Sequence, residues 1–265
     1  MRQQAPKRYG GRATSEVRDT DRELRINRFL AEAGVESRRK AEELIAEGVV
    51  KVNGVVVTNL ATKVVPSRDE VRVRNVVVTI SPRLVYILLN KPKDCITTTD
   101  DERGRTTVMD LVQFPARLFP VGRLDRNTTG ALLLTNDGDL AHALMHPSFL
   151  ARKIYGAVLD RGIDPRHLGM LRAGIELEDG RTAPCEAYAA DPPQNTHIAI
   201  AIHEGRNRQV HRMFESLGYV VKKLDRVEYA GLTTDGLRRG GWRFLEEDEV
   251  RAIRKLIKKN TTPSR

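Results

Sequence analysis

The 265-residue chain predicts an α+β protein in two parts, a small N-terminal unit followed by a larger domain. Three observations carry this. At about 150 residues per domain, the length suggests two. Short apolar alternations outnumber helical periodicities. Successive alternating runs are joined by turn signals rather than by helices, which argues against a doubly wound α/β sheet.

Residues 1–20 are rich in Gly, Arg and Gln with almost no apolar periodicity, the composition of a mobile basic tail. LRINRFLAEAG predicts a short helix from Leu24, stopped by Gly34. Ser37 is placed to cap a second helix, SRRKAEELIAEG, with Ala41, Leu44 and Ile45 as its apolar stripe and Gly48 as its stop. VVKVNGVVV is two β-branched runs around Asn53-Gly54, a strong short hairpin signal. EVRVR closes this unit as another alternating strand near Val73.

Pro66, Ser67 and Ser81-Pro82 punctuate the way into the second part. LVYILLNKP is a buried strand stopped at Pro92. ALLLTNDG predicts a strand and turn, and DLAHALM a helix ended by His146-Pro147. ARKIYGAVLD and THIAIAIHE alternate as strands, the latter with Ile198, Ile200 and Ile202 on one face. Gly205 turns the chain, and Asn207 is expected to cap RQVHRMFESLG. That helix buries Val210, Met213, Phe214 and Leu217, and presents Arg208, His211, Arg212 and Glu215. The last helix, LEEDEVRAIRKLIKK, places acids first and bases last, in keeping with the helix dipole.

Forty-five Lys and Arg against 35 Asp and Glu give a formal charge of +10. A pI near 9.8 points to a polyanionic partner, most often nucleic acid. No run approaches the roughly 18 apolar residues of a membrane span. The basic start MRQQAPKRYGGR lacks the apolar core of a secretory signal; a mitochondrial address stays open, because no acid occurs in the first 15 residues. Cys95 and Cys185 have no ligand-like or disulfide-like spacing, so a reducing compartment is expected. His142 and His146 stand at i, i+4, but position 143 is Ala and no third ligand is evident. Gly122 to Gly130 lacks a P-loop ending, and Asp100-Asp101-Glu102 lacks EF-hand spacing. Neither metal nor cofactor is expected.

Two constellations could carry chemistry. Arg38, Arg39 and Lys40 crowd a helix start, against the dipole, which a sequence tolerates more readily where phosphate is met. In Gly122-Arg123-Leu124-Asp125-Arg126-Asn127-Thr128-Thr129-Gly130, one carboxylate sits between two arginines and two glycines. A nearby arginine would keep that acid ionised, as a nucleophile or base requires. On spacing alone, an ordinary loop with a surface Asp–Arg pair is the better reading.

The longer sequence changes that weighing. LRINRFLAEAGVESRRKAEELIAEGVVKVNGVVV resembles the S4 RNA-binding module in helix lengths, glycine stops, Ser37-Arg38-Arg39 and Val52-Asn53-Gly54. VGRLDRNTTGALLLTNDGDLAHALMHP resembles the catalytic segment of the RsuA/RluB/RluE/RluF branch of pseudouridine synthases. Leu89-Asn90-Lys91-Pro92, Lys153-Ile154-Tyr155, EGRNRQVHRM, LGYVVKKLDRVEYAGL and GGWRFL follow in that family's order. The resemblance runs from Leu24 to about Lys258.

It implies a tail at 1–20, an S4 domain at 21–80, a synthase domain at 81–260 on a mainly antiparallel mixed β-sheet with flanking helices, and a C-terminal tail at 261–265. The implied reaction isomerises a uridine of ribosomal RNA to pseudouridine, in 23S RNA by likeness to the RluB type. The alternatives are a 16S enzyme of the RsuA type and a non-catalytic S4-domain ribosome-assembly factor. Asp125 maps to the nucleophile, acting at sugar or base or by promoting elimination. Tyr155 maps to the ring that packs on the target base. Arg208, His211 and Arg212 are candidates for the basic partner of Asp125; related sequences carry Arg or Lys where this chain has His211. RNA contacts are expected from Arg38, Arg39, Lys40, Lys51, Asn53, Lys91, Arg123, Arg126, Lys153 and Arg206. The expected partner is structured ribosomal RNA with a flipped-out uridine, met by a cytoplasmic monomer with no membrane association.

Overall fold

The computed structural model describes residue 14 and residues 16–261. Backbone contacts divide them into two units: 14–85 with Phe114–Leu118, and the remainder from Tyr86. Of the tail expected at 1–20, residues 1–13 and 15 lie outside the described residues, as do 262–265 at the other end.

Residues 14 and 16–20 depart from a mobile tail. The Thr14 hydroxyl donates to the Leu84 carbonyl, Val17 bridges Arg83, and Arg18 pairs with Glu32. A backbone bridge and a shielded carboxylate hold a segment whose own composition would not order it.

In the smaller unit, β1 (Leu24–Arg25) precedes α1 (Ile26–Glu32) and α2 (Arg38–Ala46). The helix expected from Leu24 begins two residues later, because Leu24–Arg25 pairs with β4 (Lys63–Val64). Ser37 caps α2, accepting from the Lys40 amide at 3.2 Å. β2 (Val50–Val52) and β3 (Val55–Val56) form the expected hairpin, with Asn53 at φ 50° and Gly54 at φ 82°, as a type I′ turn requires. β5 (Val71–Val73) and β6 (Val76–Val78) complete a sheet of order β3-β2-β5-β6. Ile26, Phe29, Leu30, Ala41, Ile45, Val50 and Val71 make the core of this unit.

The larger unit is built on a nine-stranded mixed sheet. Its strands are β7 (Tyr86–Lys91), β8 (Phe119–Pro120), β9 (Thr129–Thr135), β10 (Lys153–Leu159), β11 (Glu186–Ala189), β12 (His197–Ile202), β13 (Val221–Tyr229), β14 (Leu232–Thr233) and β15 (Trp242–Phe244). The order is β11-β12-β10-β13-β9-β7-β15, with β14 on β13 and β8 on β9. Every pairing is antiparallel except β13 with β9. The helices are α3 (Val108–Leu111), α4 (Gly138–Met145), α5 (Pro165–Ala173), α6 (Gln209–Glu215) and α7 (Glu247–Thr261). β7 is buried at every position, as its unbroken apolar run predicts. This is the mixed, mainly antiparallel α+β architecture expected.

Candidate active site

Asp125 sits on the loop between β8 and β9. Gly122 turns this loop at φ 74°. Thr97 pins the loop: its hydroxyl donates to the Leu124 carbonyl at 2.9 Å and accepts from the Leu124 amide at 3.2 Å. Lys91 pins it from beneath. Its Nζ lies 2.9–3.1 Å from the carbonyls of Pro92, Asp125, Arg126 and Thr128. Burial brings this ammonium down to about 8. Lys91 is fully buried and therefore removed from RNA contact: it is a structural cation solvated by the loop backbone, which corrects the sequence expectation.

β10 and β13 supply the wall beside the loop. Tyr155 stands directly opposite Arg226, and Lys153 directly opposite Tyr229. The register slips between those pairs, so Val227 is an unpaired extra residue, a β-bulge. Without it, residues three apart on a strand point to opposite faces. With it, Arg226 and Tyr229 share the Tyr155 face, and the Arg226 guanidinium lies 4.5 Å from the Tyr229 ring centre. Both escaped sequence reading, because the bulge breaks the alternation that would have paired them. Burial raises the Tyr229 hydroxyl to about 12, so it stays protonated at neutral pH.

α6 brings a basic side chain up to Asp125. It starts at Gln209, after a left-handed Arg208 at φ 47° that makes no side-chain cap. The Asn207 cap expected from sequence is absent. His211 reaches the acid, with Nδ1 3.9 Å from Asp125 Oδ2. Burial and Arg208 lower the His211 pKa from 6.5, against the pull of Asp125 and Glu215.

The other candidates on this helix are engaged elsewhere. Arg212 makes a two-pronged pair with Asp179, at 2.9 Å for each prong, and so turns away from Asp125. Arg208 pairs with Glu215 at 3.0 Å. Arg206, expected to meet phosphate, donates to the Gly180 and Arg181 carbonyls and pairs with Asp179. A loop near residues 179–181 thus takes two arginines that the sequence alone assigns to the acid or to RNA.

Asp125, Thr128, Arg208 and His211 border two cavities. One, of about 470 Å³, is lined by Tyr155, Lys153, Arg226 and Tyr229; the other, of about 630 Å³, by Lys93, Lys222, Lys223 and Arg239. Arg123 is exposed at the rim of the first, and Arg126, in the second, pairs with Asp94 at 3.1 Å. Lys153 Nζ donates to the Ala151 and His203 carbonyls at 3.0 and 3.2 Å.

In the smaller unit, Arg38, Arg39 and Lys40 are exposed on the first turn of α2. Lys51 donates to Asn75 at 3.1 Å. Asn53 is spent on the hairpin, donating to Asp69 at 2.8 Å and accepting from the Glu70 amide at 2.9 Å.

Among the described residues, no three His, Cys, Asp or Glu side chains gather in a way that could hold a metal ion, and no helix is long and apolar enough to cross a membrane.

A carboxylate between a histidine and an aromatic-walled cleft, in a chain that also carries a basic helix-pair module, defines an RNA-modifying enzyme. Comparison with known proteins makes the class specific. The family model for RNA pseudouridylate synthase matches residues 85–216, and that for the S4 domain matches 24–71. The chain is 48% identical over 237 residues to the ribosomal large subunit pseudouridine synthase B of Bacillus subtilis (strain 168), covering 88% of this chain and 96% of the relative. It is 44% identical over 240 residues to an uncharacterized RNA pseudouridine synthase of Aquifex aeolicus (strain VF5), covering 89% and 95%. A crystal structure of a pseudouridylate synthase aligns with a TM-score of 0.64 at 30% identity, covering 87% of this chain and 99% of that one. The chain belongs to the RNA pseudouridine synthase family.

Proposed function

We propose that this enzyme isomerises one uridine of large-subunit ribosomal RNA, with Asp125 as the nucleophile and His211 as its basic partner. The observation that carries the reading is the placement of Asp125: its backbone is fixed by Lys91, and its carboxylate faces His211 at the border of two cavities. The large-subunit assignment draws on the B. subtilis relative.

The cleft beside Tyr155 takes a uracil turned out of structured RNA, and the ring replaces the stacking that the base gives up. The N1–C1′ bond breaks, the base turns, and C5 joins C1′. The C5 proton is lost and N1 gains one, so the sum is an isomerisation without redox change. Action as a monomer in the cytoplasm, where ribosomal RNA is made, belongs to the same proposal.

The test uses ribosomal RNA from a strain lacking the gene, treated with wild type or Asp125→Ala and mapped by carbodiimide and reverse transcription. A site in large-subunit RNA that needs Asp125 is the expected result. A site in small-subunit RNA corrects the target, and no site in either favours a non-catalytic assembly factor.

A further inference from the structure

Arg226 is only 2% exposed, and its Nη2 is buried without a hydrogen-bond partner. Its Nε donates to the Ala131 carbonyl at 2.7 Å, and its face rests on Tyr229, so the guanidinium plane is locked with one N–H edge unspent. No acidic side chain among the described residues pairs with it. Asp225, next in sequence, pairs with Arg239 at 2.7 Å, and Glu204, on the cleft wall, pairs with Arg206 at 3.3 Å. Lys153 lines the same cleft; burial and Arg226 bring it down to about 8, against the pull of Glu204. Two cations thus line the wall that Tyr155 shares, and among the described residues neither makes an ion pair with an acid. That arrangement is costly when empty and relieved when negative charge arrives.

The reaction supplies that charge. Whether Asp125 attacks the sugar, attacks the base or promotes elimination, N1 leaves C1′ with the bonding electron pair, and the charge spreads toward the ring oxygens. We propose that Arg226, backed by Lys153, holds the negative charge of the uracil ring between its detachment from N1 and its re-attachment through C5. Recapture at C5 returns those electrons to a bond to C1′, C5 gives up its proton, and N1 is protonated. The wall is neither consumed nor changed.

This assignment rests on the pseudouridine synthase reading, and the test separates the two. Wild type, Arg226→Gln and Lys153→Gln are compared at saturating RNA, on transcripts carrying uridine or 5-fluorouridine at the target. Fluorine makes the departing ring a more stable anion. N1–C1′ scission is read as loss of the N1-linked nucleoside after nuclease digestion, and affinity is measured separately. Arg226→Gln is expected to slow scission of uridine about a hundredfold. The loss on 5-fluorouridine is expected to be at least about tenfold smaller, with affinity within about twofold of wild type. Lys153→Gln shows the same pattern to a lesser degree and decides the question should Arg226→Gln not fold. Equal losses on both transcripts, or a loss confined to affinity as for a phosphate anchor, overturn the assignment alone. A wild type inactive on every ribosomal RNA overturns the enzyme reading with it.

Discussion

His211 Nδ1 lies 3.9 Å from Asp125 Oδ2, too far for a hydrogen bond and close enough for charge to matter, and the nitrogen is buried without a hydrogen-bond partner. The relationship changes with one proton. Burial and Arg208 place that protonation below pH 6.5. Wild-type single-turnover rate is therefore expected to rise as pH falls from about 7.5 toward 5.5, as a charged His211 comes to hold the ionised carboxylate. His211→Arg, permanently charged, should give a flat profile. Identical profiles would sink the pairing. The sign for stability is opposite. The unfolded chain holds this proton more tightly, so the contribution is present above pH 6.5 and lost as pH falls toward the lower folded value.

Lys91→Met should leave the carbonyls of Pro92, Asp125, Arg126 and Thr128 without their shared donor. The expected cost is about 3 kcal/mol, read as a lower urea midpoint, with a fall in single-turnover rate at saturating RNA. A variant as stable and as fast as wild type shows that the loop holds itself.

A glycine comparison isolates the approach of β9 to β13. A Cβ on Gly130 would fall 2.2 Å from the Arg226 carbonyl oxygen, whereas one on Gly122 meets nothing within 4 Å. Both have positive φ, so Gly122→Ala pays for backbone conformation alone, about 1 kcal/mol. Gly130→Ala pays for that and for parting the strands, about 3 kcal/mol or more, and loses activity through the displaced Arg226. Equal melting temperatures for the two variants would contradict this.

Replacing Arg38, Arg39 and Lys40 with Gln should weaken binding of the target RNA and flatten its dependence on salt. At saturating RNA the single-turnover rate should match wild type. A collapsed rate there means that the module does more than dock.

The local elements were legible, and the acid became so once the longer segment around it was read. Asp125 stands out through the likeness of its whole segment to a catalytic one, the Asn53-Gly54 hairpin through its turn chemistry, and the strand at His197–Ile202 through its alternation. What escaped depends on contacts made across the fold. Arg212 lies on the helix of His211 and Arg206 just before it, yet Asp179 claims both, and nothing in their spacing announces it. Lys91 looks like a phosphate contact until four carbonyls are seen around it. Arg226 and Tyr229 are separated by three, a spacing that strand periodicity assigns to opposite faces.

The extra residue at Val227 makes chain length part of the catalytic specification. Removing it would keep Lys153, Tyr155, Arg226 and Tyr229 in the sequence while turning Tyr229 out of the cleft and away from the guanidinium that it now supports. A chain with every functional residue intact could thus lack the wall they form. Counting the residues from arginine to tyrosine is as informative about competence as naming them.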